Sequence, residues 1–331
     1  MSETERGCRR FLTAFTLLLV GAASAQAHGE WLFRETAIMG TRCAVELWTD
    51  DRAHGLALID DVFAEMRRID ALMSTYKPES ELSRLNARAG RRPVQVSAEL
   101  FDLIETAVDY SRVTHGAFDI TYASVGYLYD FRSHKRPGSA AIATGLANVD
   151  YRKLKFSAGP RTLAFMNPGM RIDLGGIAKG YAVDRGIAIL QRAGVKDAMV
   201  NAGGDTRILG DRRGQPWMVG VRDPNDRDKV ALRIPLENAS ISTSGDYERF
   251  FDEGGVRYHH IIDPKTGDSA RALRSATVIA TTSLRADALS TSVFVLGPER
   301  GIELINELGD VDAVVVTPEG KLLYSNGLAP P

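Results

Sequence analysis

The 331-residue chain is poor in cysteine, holding only Cys8 and Cys43. A disulfide framework is thereby excluded as the source of its stability. Charge of one sign is missing as well: 41 Lys and Arg against 42 Asp and Glu leave a net charge of −1. Such balance offers no electrostatic footprint for nucleic acid. Familiar signatures are lacking too. There is no GxGxxG and no GxxxxGK[ST] for nucleotides, no HExxH or CxxC for metals, and no GxSxG serine elbow. No internal repeat and no linker divides the chain.

Long apolar runs are also scarce. The one at 11–23 (FLTAFTLLLVGAA) has the length of a signal h-region and is too short to span a bilayer comfortably. Arg6, Arg9 and Arg10 precede it, and A-x-A triplets end at Ala25 and Ala27. The pattern predicts a secretory signal over 1–27, export to the periplasm, and a domain over 28–331; if uncleaved, it becomes an inner-membrane tether. Cys8 would leave with the signal. Cys43, alternating with Val45 and Leu47, reads as a small buried residue.

What is present is ordinary globular material, 44% hydrophobic and rich in glycine (31 residues). Strands are predicted at 31–38 and 42–48, joined at Met39-Gly40-Thr41. A helix capped by Asp50 or Asp51 runs to Leu72, with Leu56, Ile59, Phe63, Met66 and Ile69 at helical spacing. The segment 80–86 (SELSRLN) reads as polar, and Ser97 caps a helix over 98–114. Residues 132–148 read as a mobile surface loop, and 161–166 with 170–174 as a hairpin across Asn167-Pro168-Gly169. Helices are expected at 177–193, 284–294 and 302–308. Strands are expected at 198–201, 217–222, 229–235, 240–243, 257–262, 276–280, 313–317 and 321–324, with Ser244-Gly245 as a turn. The expected fold is one α+β unit of mixed, largely antiparallel sheets with packed helices.

Three places carry chemistry. Residues 171–184 (RIDLGGIAKGYAVD) run strand, glycine pair, helix. Unpaired N–H groups and the helix dipole favour an anion there, and Lys179 adds a full charge. Read alone, the stretch also suits a structural corner with a solvated lysine. Asp287 and Thr291, four apart on a helix, share a face and suit a hard cation such as Mg²⁺. Read alone, they are also two ordinary surface residues. His259 and His260 lie on an alternating strand, so only one faces a given side; that one is a candidate acid–base or simply a half-exposed strand histidine.

Taken together the motifs resemble the FAD:protein FMN transferase (ApbE-like) family. They are MGT at 39–41, MSTY at 73–76, GAFD at 116–119, DLGGIAKGYAVD at 173–184 and NAGGD at 201–205. STSGDYER at 242–249, HIIDPKTG at 260–267 and ADALSTSVFVLG at 286–297 complete the set. The resemblance spans essentially the whole predicted mature chain. It implies a T-fold-related architecture and Mg²⁺-dependent transfer of FMN from FAD to a threonine hydroxyl of an acceptor protein, with release of AMP. It implies Asp287, Thr291 and the Gly176 carbonyl as metal ligands, Lys179 and Ser244 on the diphosphate, and Met39, Tyr76, Asp119, Gly203 and Gly204 along the flavin and adenine ends. His260 takes the proton-transfer role, with Asp287 also in the catalytic set. The implied acceptor is a periplasmic flavoprotein domain with a threonine in an [ST]GAT-like segment, belonging to a membrane-associated redox complex. No such segment occurs in this chain. Competing readings are an FAD pyrophosphatase giving FMN and AMP, and a periplasmic flavin carrier without turnover.

Overall fold

A computed structural model describes residues 29–223 and 229–328. The predicted signal therefore lies outside the described residues. In chain order the strands β1 (Glu30–Ile38) and β2 (Thr41–Thr49) precede helices α1 (Arg52–Met73) and α2 (Glu81–Arg88). Then come β3 (Val94–Gln95), α3 (Ala98–Val113), α4 (Ala123–Gly126), α5 (Ser139–Leu146), β4 (Leu154–Ser157), β5 (Thr162–Phe165) and α6 (Ala178–Arg192). Next are β6 (Ala198–Ala202), β7 (Asp205–Leu209), β8 (Trp217–Arg222), β9 (Val230–Leu236), β10 (Ser240–Gly245), β11 (Phe250–Glu253) and β12 (Val256–His259). The last are β13 (Ser275–Ala280), α7 (Ser283–Leu296), α8 (Pro298–Leu308), β14 (Asp312–Val316) and β15 (Leu322–Tyr324).

Eight strands form the main sheet in the order β1-β2-β6-β7-β10-β13-β14-β15. Every ladder among the described strands is antiparallel. Helices α1, α6 and α7 pack against this sheet and one another. Helix α1 forms because Asp51 accepts the His54 N–H at 3.0 Å and because Leu58, Ile59, Val62, Phe63, Met66 and Ile69 recur on one face. Those side chains, with Val45 and Leu47 of β2 and Val183, Ile187 and Leu190 of α6, fill the largest core cluster. Apart from Arg285 and Asp287, helix α7 is apolar or small all round (Ala286, Ala288, Leu289, Val293 and Phe294 are buried), as befits a helix sunk between α6 and the sheet. Cys43 is fully buried with Sγ 3.6 Å from the Ile38 carbonyl, and burial pushes its thiol up to about 11.

Four expectations are corrected. Residues 80–86 belong to α2, whose cap Ser80 accepts the Ser83 N–H and whose Leu82 and Leu85 are buried. Residues 139–146 form α5 within the expected loop. Strand β5 pairs with β4 and β3, not with 170–174. Residues 170–174 do alternate, with Met170, Ile172 and Leu174 buried, but they form no ladder with any described strand. The Asn86 side chain takes a strand's place: its Nδ2 donates to the Ile172 carbonyl at 2.8 Å and its Oδ1 accepts the Ile172 N–H at 2.9 Å. Finally, β10 continues through Ser244 and Gly245, while β12 stops at His259. Strands β3, β4, β7 and β11 were not expected.

Candidate active site

The site is built where α6 meets α7. Asp173 fixes the approach: its Oδ1 accepts the Gly175 N–H at 2.6 Å and its Oδ2 accepts the Thr75 hydroxyl at 2.7 Å. After the Gly175-Gly176 corner, α6 starts with no side-chain cap of its own at Ile177. Its first-turn amides are served instead from α7, since Asp287 Oδ2 accepts the Gly180 N–H at 3.0 Å. The service is returned. Asp184 of α6 accepts the Ser283 and Leu284 N–H groups, each at 2.9 Å, at the start of α7. Carboxylates at helix N-termini are favoured by the dipole, so each helix anchors the other. The approach is close because residue 180 is glycine: a Cβ there would stand 2.6 Å from the Ser283 carbonyl carbon and 2.8 Å from Leu284 Cα.

Lys179 lies between two buried carboxylates. It is paired with Asp205 and stands 3.4 Å from Asp287 Oδ1. Burial opposes its charge, yet Asp205 and Asp287 outweigh that and hold the ammonium above its ordinary range. Burial, then the Asp205 charge, push the Asp287 carboxyl up against the pull of Lys179. The corner also approaches α7 closely: a Cβ on Gly176 would lie 3.3 Å from Thr291 Oγ1. Asp287, Thr291 and the Gly176 backbone thus converge from segments more than 100 residues apart. Among the described residues no three His, Cys, Asp or Glu side chains group as a metal site. One carboxylate, one hydroxyl and one carbonyl are an incomplete hard-oxygen set, which fits Mg²⁺ because Mg²⁺ retains waters and takes ligand phosphates.

The two histidines separate cleanly. His259 is buried, with Nε2 2.6 Å from the Ala270 carbonyl and its ring edge-on to Phe294. Burial lowers it to about 4. His260, just past the ladder, is half-buried; its backbone N–H donates to the Arg249 carbonyl at 3.1 Å, while its sealed Nδ1 has no partner among the described residues. Burial, then the charges of Arg249, His259 and Lys179, lower it to about 3, so the ring is neutral at physiological pH.

The remaining expected residues are dispersed around this centre. Met39 and Gly40 both have positive φ (55° and 70°), the geometry of a type I′ hairpin turn, and a side-chain-bearing residue at the first position is strained. The Arg249 guanidinium lies beside that turn, since a Cβ on Gly40 would meet its Nη2 at 3.1 Å. A Cβ on Gly203 would reach Thr41 Oγ1 at 2.7 Å and one on Gly204 the Thr243 carbonyl at 2.6 Å, so the glycine pair packs tightly between the MGT turn and β10. Ser244 Oγ lies 2.9 Å from Ser290 Oγ and 3.4 Å from Thr291 Oγ1. Tyr76 stands 81% exposed. Asp119 is turned inward: Oδ1 accepts the Thr121 N–H and hydroxyl, and Oδ2 accepts the Tyr151 N–H, so the carboxylate organises its own turn. Sequence reasoning quoted the motifs holding Asp205, Arg249 and Ser290 without assigning them a part.

The sequence profile of the ApbE family matches residues 39–315. This chain belongs to the ApbE family. Among its relatives is the FAD:protein FMN transferase of Treponema pallidum, 34% identical over 328 residues, covering 93% of this chain and 91% of the relative. The FAD:protein FMN transferase of Haemophilus influenzae is 35% identical over 267 residues, 77% of this chain and 76% of the relative. Among solved structures, the ApbE protein of Thermotoga maritima superposes with a TM-score of 0.83 at 31% identity, covering 90% of this chain and 98% of that one. The flavin transferase ApbE of Vibrio cholerae gives 0.81 at 30% identity over the same shares. The ApbE fold is therefore shared over 90% of the chain, and the α6–α7 junction lies inside the region that the family profile matches.

Proposed function

We propose that this chain is an FAD:protein FMN transferase that moves FMN from FAD to a threonine hydroxyl of an acceptor flavoprotein, with Mg²⁺, outside the cytoplasm. The observation that carries the reading is the convergence of Asp287, Thr291, Gly176 and Lys179 at one helix junction, in a chain whose relatives bear that name. In the reaction the threonine oxygen forms a bond to the FMN-side phosphorus, and the bond from that phosphorus to the AMP oxygen breaks. The threonine proton passes to the His260 ring, which is neutral and so free to accept it. Lys179 and the α6 N-terminus stabilise negative charge on the diphosphate. Mg²⁺, held by Asp287, Thr291 and the Gly176 carbonyl, would supply Lewis-acid neutralisation of that charge. A protein doing such chemistry mainly positions its reactants.

The test incubates the protein with FAD, Mg²⁺ and a threonine-bearing acceptor domain. An acceptor heavier by one FMN, with AMP released, is the expected result. FMN and AMP with an unchanged acceptor would replace the transferase by a pyrophosphatase, and intact bound FAD would replace both by a carrier. Export is tested apart, by locating the protein in fractionated cells and sequencing its N-terminus.

A further inference from the structure

A chain of hydroxyls runs beneath the site from Asp205 to Thr291. Ser242 Oγ donates to Asp205 Oδ1 at 2.6 Å. Ser290 Oγ lies 3.1 Å from Ser242 Oγ, 3.0 Å from the Asp287 carbonyl oxygen and 2.9 Å from Ser244 Oγ. Ser244 Oγ in turn lies 3.4 Å from Thr291 Oγ1. Ser242 and Ser290 are buried, at 1% and 0% exposure, so water does not rescue a wrong arrangement.

Each hydroxyl has a single proton to give, and a carboxylate only accepts. The Ser242 proton is therefore committed to Asp205. The Ser290 proton has two inward acceptors, the Ser242 oxygen and the Asp287 carbonyl. Donation to Ser244 instead would leave the buried Ser242 oxygen with no donor among the described residues; donating inward, Ser290 turns a lone pair toward Ser244, and Ser244 donates to it. With that proton spent, Ser244 offers Thr291 only a lone pair. Thr291 then donates inward, and its own lone pairs are left facing the Gly176 corner.

We propose that Ser290 is a positioning residue that, backed by Ser242 and Asp205, fixes the direction of the Thr291 hydroxyl so that it meets a divalent cation as an acceptor. This rests on the metal reading given under Proposed function. Groups that orient a metal ligand commonly change affinity by about 10–100-fold when removed.

The test is Mn²⁺ binding to the purified protein, followed by the electron paramagnetic resonance signal of unbound Mn²⁺. Ser290→Ala is expected to weaken binding by about tenfold or more. Ser244→Ala, which cuts the same chain on the other side of the hub, is expected to weaken it likewise. Ser292→Ala is the control: that serine is as buried and on the same helix, but its hydroxyl donates only to the Ala288 carbonyl at 2.6 Å. It should bind as native does. In turnover assays the Mg²⁺ concentration for half-maximal rate should rise in Ser290→Ala while the KM for FAD at saturating Mg²⁺ holds, a split that general loosening does not produce. Native-like Mn²⁺ binding by Ser290→Ala, or equal loss in Ser292→Ala, overturns the relay alone. A native protein that takes up no Mn²⁺ overturns the metal reading and the relay with it.

Discussion

Adding one methyl group at Gly180 tests how the site is held. The new Cβ would collide with the Ser283 carbonyl oxygen and lie 2.6 Å from its carbon, and ordinary contact begins at 3.4 Å, so α6 and α7 must part by about 1 Å. Both colliding atoms are backbone, which no rotamer change relieves. That opening stretches the 3.0 Å bond from Gly180 N–H to Asp287 beyond the hydrogen-bond limit. Overpacking costs about 1–3 kcal/mol, and loss of a bond to a charged acceptor about 1.5–3 kcal/mol. Helix propensity opposes this by about 1 kcal/mol in favour of alanine. Strain wins, leaving a net loss of about 2–5 kcal/mol and a melting temperature lower by roughly 3–8 °C. The matched control is Gly159→Ala, where a Cβ meets nothing within 4 Å; it should melt with native. Scanning calorimetry on the three proteins decides the matter. A Gly180→Ala variant melting within 2 °C of native would refute the claim that this junction is held at contact distance.

Asp287→Ala should lower Mg²⁺-dependent turnover at least ~100-fold while the far-ultraviolet dichroism stays native; full activity at micromolar Mg²⁺ would remove Asp287 from the metal set. His260→Ala should retain FAD binding by fluorescence titration and lose roughly 10²–10⁴-fold in transfer rate, and an unchanged rate would clear His260 of proton transfer. His259 predicts a pH effect on stability. The unfolded chain binds its proton near 6.5 and the folded chain only near 4, so stability is complete above pH 7 and falls as pH drops through that window. The shift corresponds to about 3 kcal/mol, seen as a urea midpoint lower at pH 4 than at pH 7. In His259→Gln that part of the slope should vanish, and an unaltered slope would contradict the assignment.

Much of the architecture could be read from residue order because local rules carried it. The stripe from Leu58 to Ile69, the caps Asp51 and Ser97, and the glycine corner each reflect a period or a hydrogen bond within a few residues. Pairing was harder. Alternation at 170–174 announces an extended, half-buried segment but not its neighbour, and the neighbour is a side chain 86 positions earlier. Helix α2 escaped notice because two leucines among charges look like surface until α1 covers them. The site divides the same way. Asp287 and Thr291 were visible because four residues make one helical turn. Asp205 and Ser290 were not, because a buried carboxylate meeting a lysine 26 residues away, or one serine among several, carries no signal until the chain has folded.

The amide of Asn86 has a mechanical consequence. It ties the run-up to the glycine corner to helix α2, and no ladder bonds that run-up to the small β3-β5-β4 sheet. The length of the β4–β5 connection is thus decoupled from the depth of the corner in the cleft. Lineages of this fold are left at liberty to lengthen or trim that outer hairpin, whereas an altered length between Ser80 and Asn86 would shift the glycine corner itself.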